Sequence, residues 1–196
     1  MDMRYNECIF CLEAYTLTTV FVNGACGRMG QAVLKAVQED AELKLVGAAD
    51  LKGGADAGEL VGLPKAGVTV ETDLKAALER LHPDVMVDFT RPDVVFENVK
   101  TALAAHVSPV VGTTGLTDAQ KADIAKLAEA NDTPAFIAPN FAIGAVLMMV
   151  MCKQAAKYMP DVEIIELHHD KKLDAPSGTA VQTAAMIAEV RKVHKQ

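Results

Sequence analysis

The stretch Thr18-Thr19-Val20-Phe21-Val22-Asn23-Gly24-Ala25-Cys26-Gly27-Arg28-Met29-Gly30 decides the reading of this chain. Its first five residues form a β-branched and aromatic run that predicts a buried strand, closed by Asn23-Gly24. Gly24, Gly27 and Gly30 then stand at G-x-x-G-x-x-G spacing, and Met29, Val33, Leu34 and Val37 continue at helical spacing. A strand, a glycine turn and a helix in that order suit a pyrophosphate. The turn lets backbone approach the anion closely, and the free N–H groups at the helix start face it. Glycines in this spacing also occur as plain turns, so the context matters. Asp50 supplies part of it: it closes a second apolar run, Leu43 to Ala49, where a carboxylate can accept hydrogen bonds from an adenosine ribose. Gly24, Ala25, Cys26, Gly27, Arg28, Met29 and Asp50 are thus the first candidate cofactor-binding residues, with Arg28 placed for a phosphate contact. Asp50 would repel a 2′-phosphate and Lys52 would attract one, so NADH and NADPH both remain open.

Outward from the loop, short apolar runs alternate with amphipathic ones. Val68 to Val70, Val85 to Val87, Pro109 to Val111 and Ala135 to Ala138 read as strands. Between them, Thr72-Asp73 caps a helix carrying Leu74, Ala77, Leu78 and Leu81, and Pro92 stands as the first residue of a helix through Val95, Val99, Ala102 and Leu103. Thr117-Asp118-Ala119-Gln120 has capping-box form and opens a helix with Ile124, Leu127 and Ala128 on one face. This alternation predicts an α/β fold, a Rossmann-like parallel sheet covered on both faces. Gly112-Thr113-Thr114-Gly115 and Ala138-Pro139-Asn140-Phe141 follow later strands. They therefore fall at the carboxyl edge of the sheet, where ligands of such folds bind. Gly112, Thr113, Thr114, Ala138, Pro139, Asn140 and Phe141 are expected near the nicotinamide half of the cofactor.

The character changes after Asn140. A Met-rich helix is expected to about Tyr158, with the apolar run Phe141 to Cys152 read as a buried helix. A strand Val162 to His169, a polar loop and a last helix from about Gly178 follow. This divides the chain into an N-terminal extension (1–17), a dinucleotide-binding domain (18–140) and a second, smaller α+β domain for substrate (141–196).

Composition bounds the partners. The chain has 196 residues, 51% hydrophobic and only 5% aromatic, so aliphatic side chains do the packing, as suits helices laid on a parallel sheet. Nineteen basic against 26 acidic residues give a formal charge of −7, which argues against nucleic acid. No apolar run is long enough for a membrane span, and no secretory signal precedes Thr18. Four cysteines at irregular spacing make no disulfide framework, and Cys8-x-x-Cys11 reads as two incidental thiols, since no partner ligands stand at zinc spacing. Cytoplasmic localisation and no metal are the expectation.

One stretch concentrates chemistry: Glu166-Leu167-His168-His169-Asp170-Lys171-Lys172-Leu173-Asp174-Ala175-Pro176-Ser177-Gly178-Thr179-Ala180. Two histidines and two lysines fall within five positions of an acidic protein. Ser177-Gly178-Thr179 then opens a helix whose first N–H groups can seat an anion. Such a segment by itself is commonly a solvated loop. Beside a nucleotide loop it offers a carboxylate seat and proton donors, which suits an anionic substrate that takes up hydride and must then be protonated.

On these residues the chain resembles the dihydrodipicolinate reductase family. The similarity runs from about Thr18 to the C-terminus. It rests on Gly24 to Gly30, Asp88-Phe89-Thr90-Arg91-Pro92, Gly112 to Gly115, Pro139-Asn140-Phe141 and, above all, Glu166 to Ala180. The resemblance implies reduction of 4-hydroxy-tetrahydrodipicolinate, or the dihydro compound formed from it, by NADH or NADPH on the lysine and diaminopimelate route. It implies His168 as the acid–base residue and Lys172 as proton donor, with His169, Gly178 and Thr179 holding the substrate carboxylates. Cys26 stands where the family often has a smaller residue, and a thiol is small enough to leave binding only modulated. Family members continue well beyond the helix near Gly178 and associate as homotetramers through the substrate sheet. The chain is therefore expected to be C-terminally truncated, with tetramer assembly in doubt. The alternatives are an NAD(P)-binding module without catalysis, or another two-domain NAD(P)-dependent dehydrogenase; the latter leaves the His-His-x-x-Lys and Ser-Gly-Thr pairing unexplained.

Overall fold

Six strands, β1 (Thr18–Asn23), β2 (Leu43–Ala49), β3 (Val70–Glu71), β4 (Val85–Asp88), β5 (Ser108–Val111) and β6 (Phe136–Ile137), form one parallel sheet in the order β3-β2-β1-β4-β5-β6. The computed structural model describes residues 16–159, 161–168, 170 and 175–191. Between and after the strands lie α1 (Arg28–Glu39), α2 (Leu74–Leu81), α3 (Val95–Ala104), α4 (Asp118–Ala130), α5 (Ile143–Ala155) and α6 (Gly178–Arg191). The order reverses between β1 and β4, and the crevice at such a switch point is where doubly wound sheets bind nucleotides.

The chain forms this sheet because its apolar runs can be covered from two sides. Val20, Val22, Leu34, Val37 and Ala48 make one buried cluster under α1, while Phe21, Ala77, Leu78, Met86 and Ala102 pack on the other face under α2 and α3. Val95, Val99, Leu103, Val111 and Ile124 close a third cluster beneath α3 and α4. Two caps read from sequence are formed. Asp73 accepts the Ala76 N–H at the start of α2, and Thr117 and Gln120 make both bonds of a capping box on α4.

Three expectations are corrected. Pro92 does not begin α3: a turn in which the Val94 and Val95 N–H groups reach the Arg91 carbonyl precedes the helix, which starts at Val95. Residues 161–168 form no strand, since no described segment pairs with them and a lone extended segment has no ladder to join. Helix α5 is not buried. Only Met149 of it is buried, and Ile143 and Met151 are 78% and 65% exposed, because among the described residues its main packing partner is α6, through a small cluster of Ala156, Ile187 and Val190.

Candidate active site

The glycine loop is held by contacts that only glycine permits. Gly24 has φ +83°, and a Cβ there would strike the Phe89 carbonyl; a Cβ on Gly30 would run into the Gly24 carbonyl. The turn is therefore pressed against β4's exit on one side and against α1 on the other. Gly27, at the N-cap of α1, is exposed and without a side-chain cap, so the helix start is open to an anion. Arg28 and Met29 are exposed beside it, and Ala25 is buried beneath.

Asp50 stands where the motif requires. One carboxylate oxygen accepts the Cys26 N–H at 2.9 Å and the other the Lys52 N–H at 3.3 Å, so the acidic group and the loop are locked together. Burial pushes the Cys26 thiol pKa up, and the Asp50 charge adds to the shift. The Cys26 thiol donates to the Lys52 carbonyl at 3.4 Å. Asn23, Gly24, Gly27, Asp50, Leu51, Thr72, Thr90 and Arg91 line one cleft of about 310 Å³. Leu51 and Thr72 were not singled out from sequence, and Thr90 and Arg91 only as part of the Asp88-to-Pro92 block. Leu51, 79% exposed, offers an apolar platform next to the Asp50 carboxylate.

The later loops meet the rest of the candidate residues. Thr113, Thr114, Ala138, Pro139 and Asn140 share a second cleft of about 700 Å³ with Gly178 of α6. Thr113 is buried with its hydroxyl committed to Asp88, whereas Thr114 faces solvent. Gly112 donates its N–H to the Asp88 carbonyl. Phe141 stacks edge-on between Phe89 and Phe136, with centroids 5.7 and 6.1 Å away. Asn140 donates to the Thr179 hydroxyl at 3.0 Å, a direct link between the proposed cofactor edge and the helix start expected to hold substrate.

At that helix start Ser177 is buried, and its hydroxyl accepts the Ala180 N–H. The seat expected there is partly filled, because the Glu166 carboxylate accepts the Ser177 N–H at 3.0 and 3.1 Å. Glu166 thereby ties the segment before His168 to the start of α6. His168 is exposed and lines a third cleft, about 460 Å³, together with Glu166, Ser177 and Thr179. His169 and Lys172 lie outside the described residues, as does the Cys8–Cys11 pair. Among the described residues no three His, Cys, Asp or Glu side chains converge as metal ligands, and no helix is long and apolar enough to cross a membrane.

A doubly wound sheet with an open glycine turn at its switch point defines a nucleotide-binding α/β fold, here with a further C-terminal part. Comparison with known proteins narrows the class. The model of the dihydrodipicolinate reductase N-terminus matches residues 18–141, and that of the same family's C-terminus matches residues 144–196. The chain belongs to the dihydrodipicolinate reductase family. The 4-hydroxy-tetrahydrodipicolinate reductase of Desulfitobacterium hafniense is 52% identical over 175 residues, covering 88% of this chain and 66% of the relative. That of Synechocystis sp. is 50% identical over 184 residues, covering 90% and 66%. The chain thus spans just under two thirds of the length of these curated relatives. The structure of dipicolinate-bound dihydrodipicolinate reductase from Paenisporosarcina sp. TG-14 superposes with a TM-score of 0.75 at 47% identity, covering 92% of this chain and 69% of that one. Biliverdin reductase from Synechocystis sp., at 18% identity and a TM-score of 0.58, shares the fold alone.

Proposed function

We propose that this protein reduces 4-hydroxy-tetrahydrodipicolinate, or the dihydro compound formed from it, to tetrahydrodipicolinate with NADH or NADPH in lysine and diaminopimelate biosynthesis. The observation that carries the reading is the Asn140–Thr179 contact, which joins the nucleotide edge of the sheet to an anion-seating helix start. The residues fit a dinucleotide: Gly24 and Gly30 leave no room for a side chain, the N–H groups at α1 are open, and Asp50 is poised for a ribose. A bound nicotinamide would supply the hydride.

The chain's own groups would do the rest. Gly24 to Met29 and Asp50 would hold the pyrophosphate and ribose; Gly112 to Thr114 and Ala138 to Phe141 would flank the nicotinamide half. Gly178 and Thr179, with His169, would orient the substrate carboxylates. Among the described residues the Gly178 and Thr179 N–H groups have no protein partner, whereas that of Ser177 is taken by Glu166. His168 and Lys172 would deliver the proton that quenches negative charge after hydride addition. Residues 18–140 would form the dinucleotide part and 141–196 the substrate part, acting on a small dicarboxylate in the cytoplasm.

The paired test is His168→Asn against the unaltered chain. Loss of a positioned general acid is expected to lower turnover about 10²- to 10⁴-fold while NADH affinity stays within twofold. Unchanged turnover would remove His168 from the proton path.

A further inference from the structure

Strand β4 ends on Asp88, whose side chain is fully buried. A carboxylate is costly to remove from water unless its oxygens are well hydrogen-bonded. Five donors converge on this one. Asn23 Nδ2 at 2.9 Å and Asn98 Nδ2 at 3.0 Å reach Oδ2, while the Thr90 N–H at 3.1 Å, the Thr90 hydroxyl at 2.8 Å and the Thr113 hydroxyl at 2.7 Å reach Oδ1. The donors come from four places: the last residue of β1, the turn after β4, helix α3, and the loop after β5. Thr113 also accepts the Thr90 N–H at 2.7 Å, so the two threonines and the carboxylate form a closed set.

Core packing alone does not explain an acid here. An apolar residue of similar size would fill the space with no desolvation cost, so the acid serves arrangement rather than bulk. What it arranges is the mouth of the sheet. Asn23 precedes Gly24 of the nucleotide turn, Thr90 lines the cleft with Asp50, and Thr113 sits in the loop after β5. Among the described residues Asp88 is the one side chain that hydrogen-bonds all three.

We propose that Asp88 is a positioning residue for the cofactor. It sets the spacing between the pyrophosphate turn and the Thr90–Thr113 edge, so that the nicotinamide half is received in one fixed pose. The inference rests on the dinucleotide reading given above. Preorganisation of this kind acts through neighbours that are themselves locked by a buried network. Its loss should fall on the half of the ligand that the Thr90–Thr113 edge receives.

The test uses the full chain and two probes, NADH and ADP-ribose, the latter lacking the nicotinamide. Asp88→Asn keeps the shape but turns one acceptor into an amide donor that faces donors already present. It is expected to weaken NADH binding about 10- to 100-fold, the scale of one buried polar group left unsatisfied, and to leave ADP-ribose binding within about twofold. Thr113→Val removes one donor without touching the carboxylate and serves if Asp88→Asn does not fold; Thr113→Ser keeps that donor and is expected to restore NADH binding. A lower melting temperature with unchanged NADH affinity would make Asp88 a structural residue only and overturn the inference. Equal losses for NADH and ADP-ribose would overturn it too, because the effect would not be confined to the nicotinamide side. If the unaltered chain bound neither probe, the dinucleotide reading itself would fall. Binding of both probes with no response to either Asp88→Asn or Thr113→Val would sink only the role of Asp88.

Discussion

Asp56 holds a surface loop from a single carboxylate. It accepts the N–H groups of Gly58, Ala66 and Gly67 at 2.8 to 2.9 Å and that of Glu59 at 3.3 Å. These bonds, Ala66's first, hold its pKa below the usual carboxylate range. A carboxyl depressed in the folded state adds stability above the unfolded value, about 4, and that stability is lost as pH falls through the folded value. Asp84, tied to the Thr19 hydroxyl and N–H, is lowered as well and acts in the same direction. Asp56→Asn should therefore destabilise the chain near neutrality and flatten its acid limb, as read by urea denaturation between pH 7 and 3. An acid limb as steep as that of the unaltered chain would contradict the assignment. At this scale the sequence was legible where a motif imposed a spacing. Gly24, Gly30 and Asp50 stand out because phosphate and ribose binding dictate their intervals. Asp56 and Asp88 were not legible as anchors, because an acid at a strand end or in a glycine-rich loop looks the same whether solvated or encircled by donors. Asp88 was visible only as part of a shared block.

Helix starts show the same division at the scale of elements. Thr117 and Gln120 form the reciprocal capping box that their four-residue interval foretold. Thr117→Ala should cost about 1 kcal/mol in chemical denaturation, and Thr117→Ser, which keeps the hydroxyl, should retain most of that stability. Equal losses for the two variants would contradict the capping role. Pro92 misled for a physical reason: a proline suits the first turn of a helix and equally a preceding reverse turn, and here the Arg91–Val94 turn took it. Val162 to His169 has the composition of a strand, but a strand is completed by its neighbours, and composition does not carry them. Helix α5 misled in the opposite way. Its apolar sequence marks a face to be covered, while coverage depends on what packs there, and among the described residues that is α6.

At the scale of the whole molecule, alternation of strand and helix foretold the parallel sheet, while the order β3-β2-β1-β4-β5-β6 depends on which strands pair across the sheet, which no single segment displays. The candidate site followed the same logic. The glycine turn, the Thr113–Thr114 loop and the Asn140 loop converge because all end parallel strands on one edge, and the α6 start joins them through Thr179. The apolar surface is uneven: the sheet's clusters are closed, whereas Ile143, Met151, Ile165 and Leu167 stand exposed around α5 and the segment before His168. We propose that this edge and this helix start together perform one reduction. The most direct test follows nicotinamide absorbance with the purified chain while the preceding synthase makes the substrate from pyruvate and aspartate semialdehyde. Oxidation of NADH or NADPH that needs both precursors and the synthase is the expected result. Binding of the cofactor with no oxidation, or oxidation driven by unrelated aldehydes or sugars but not by the cyclic imine, would contradict it.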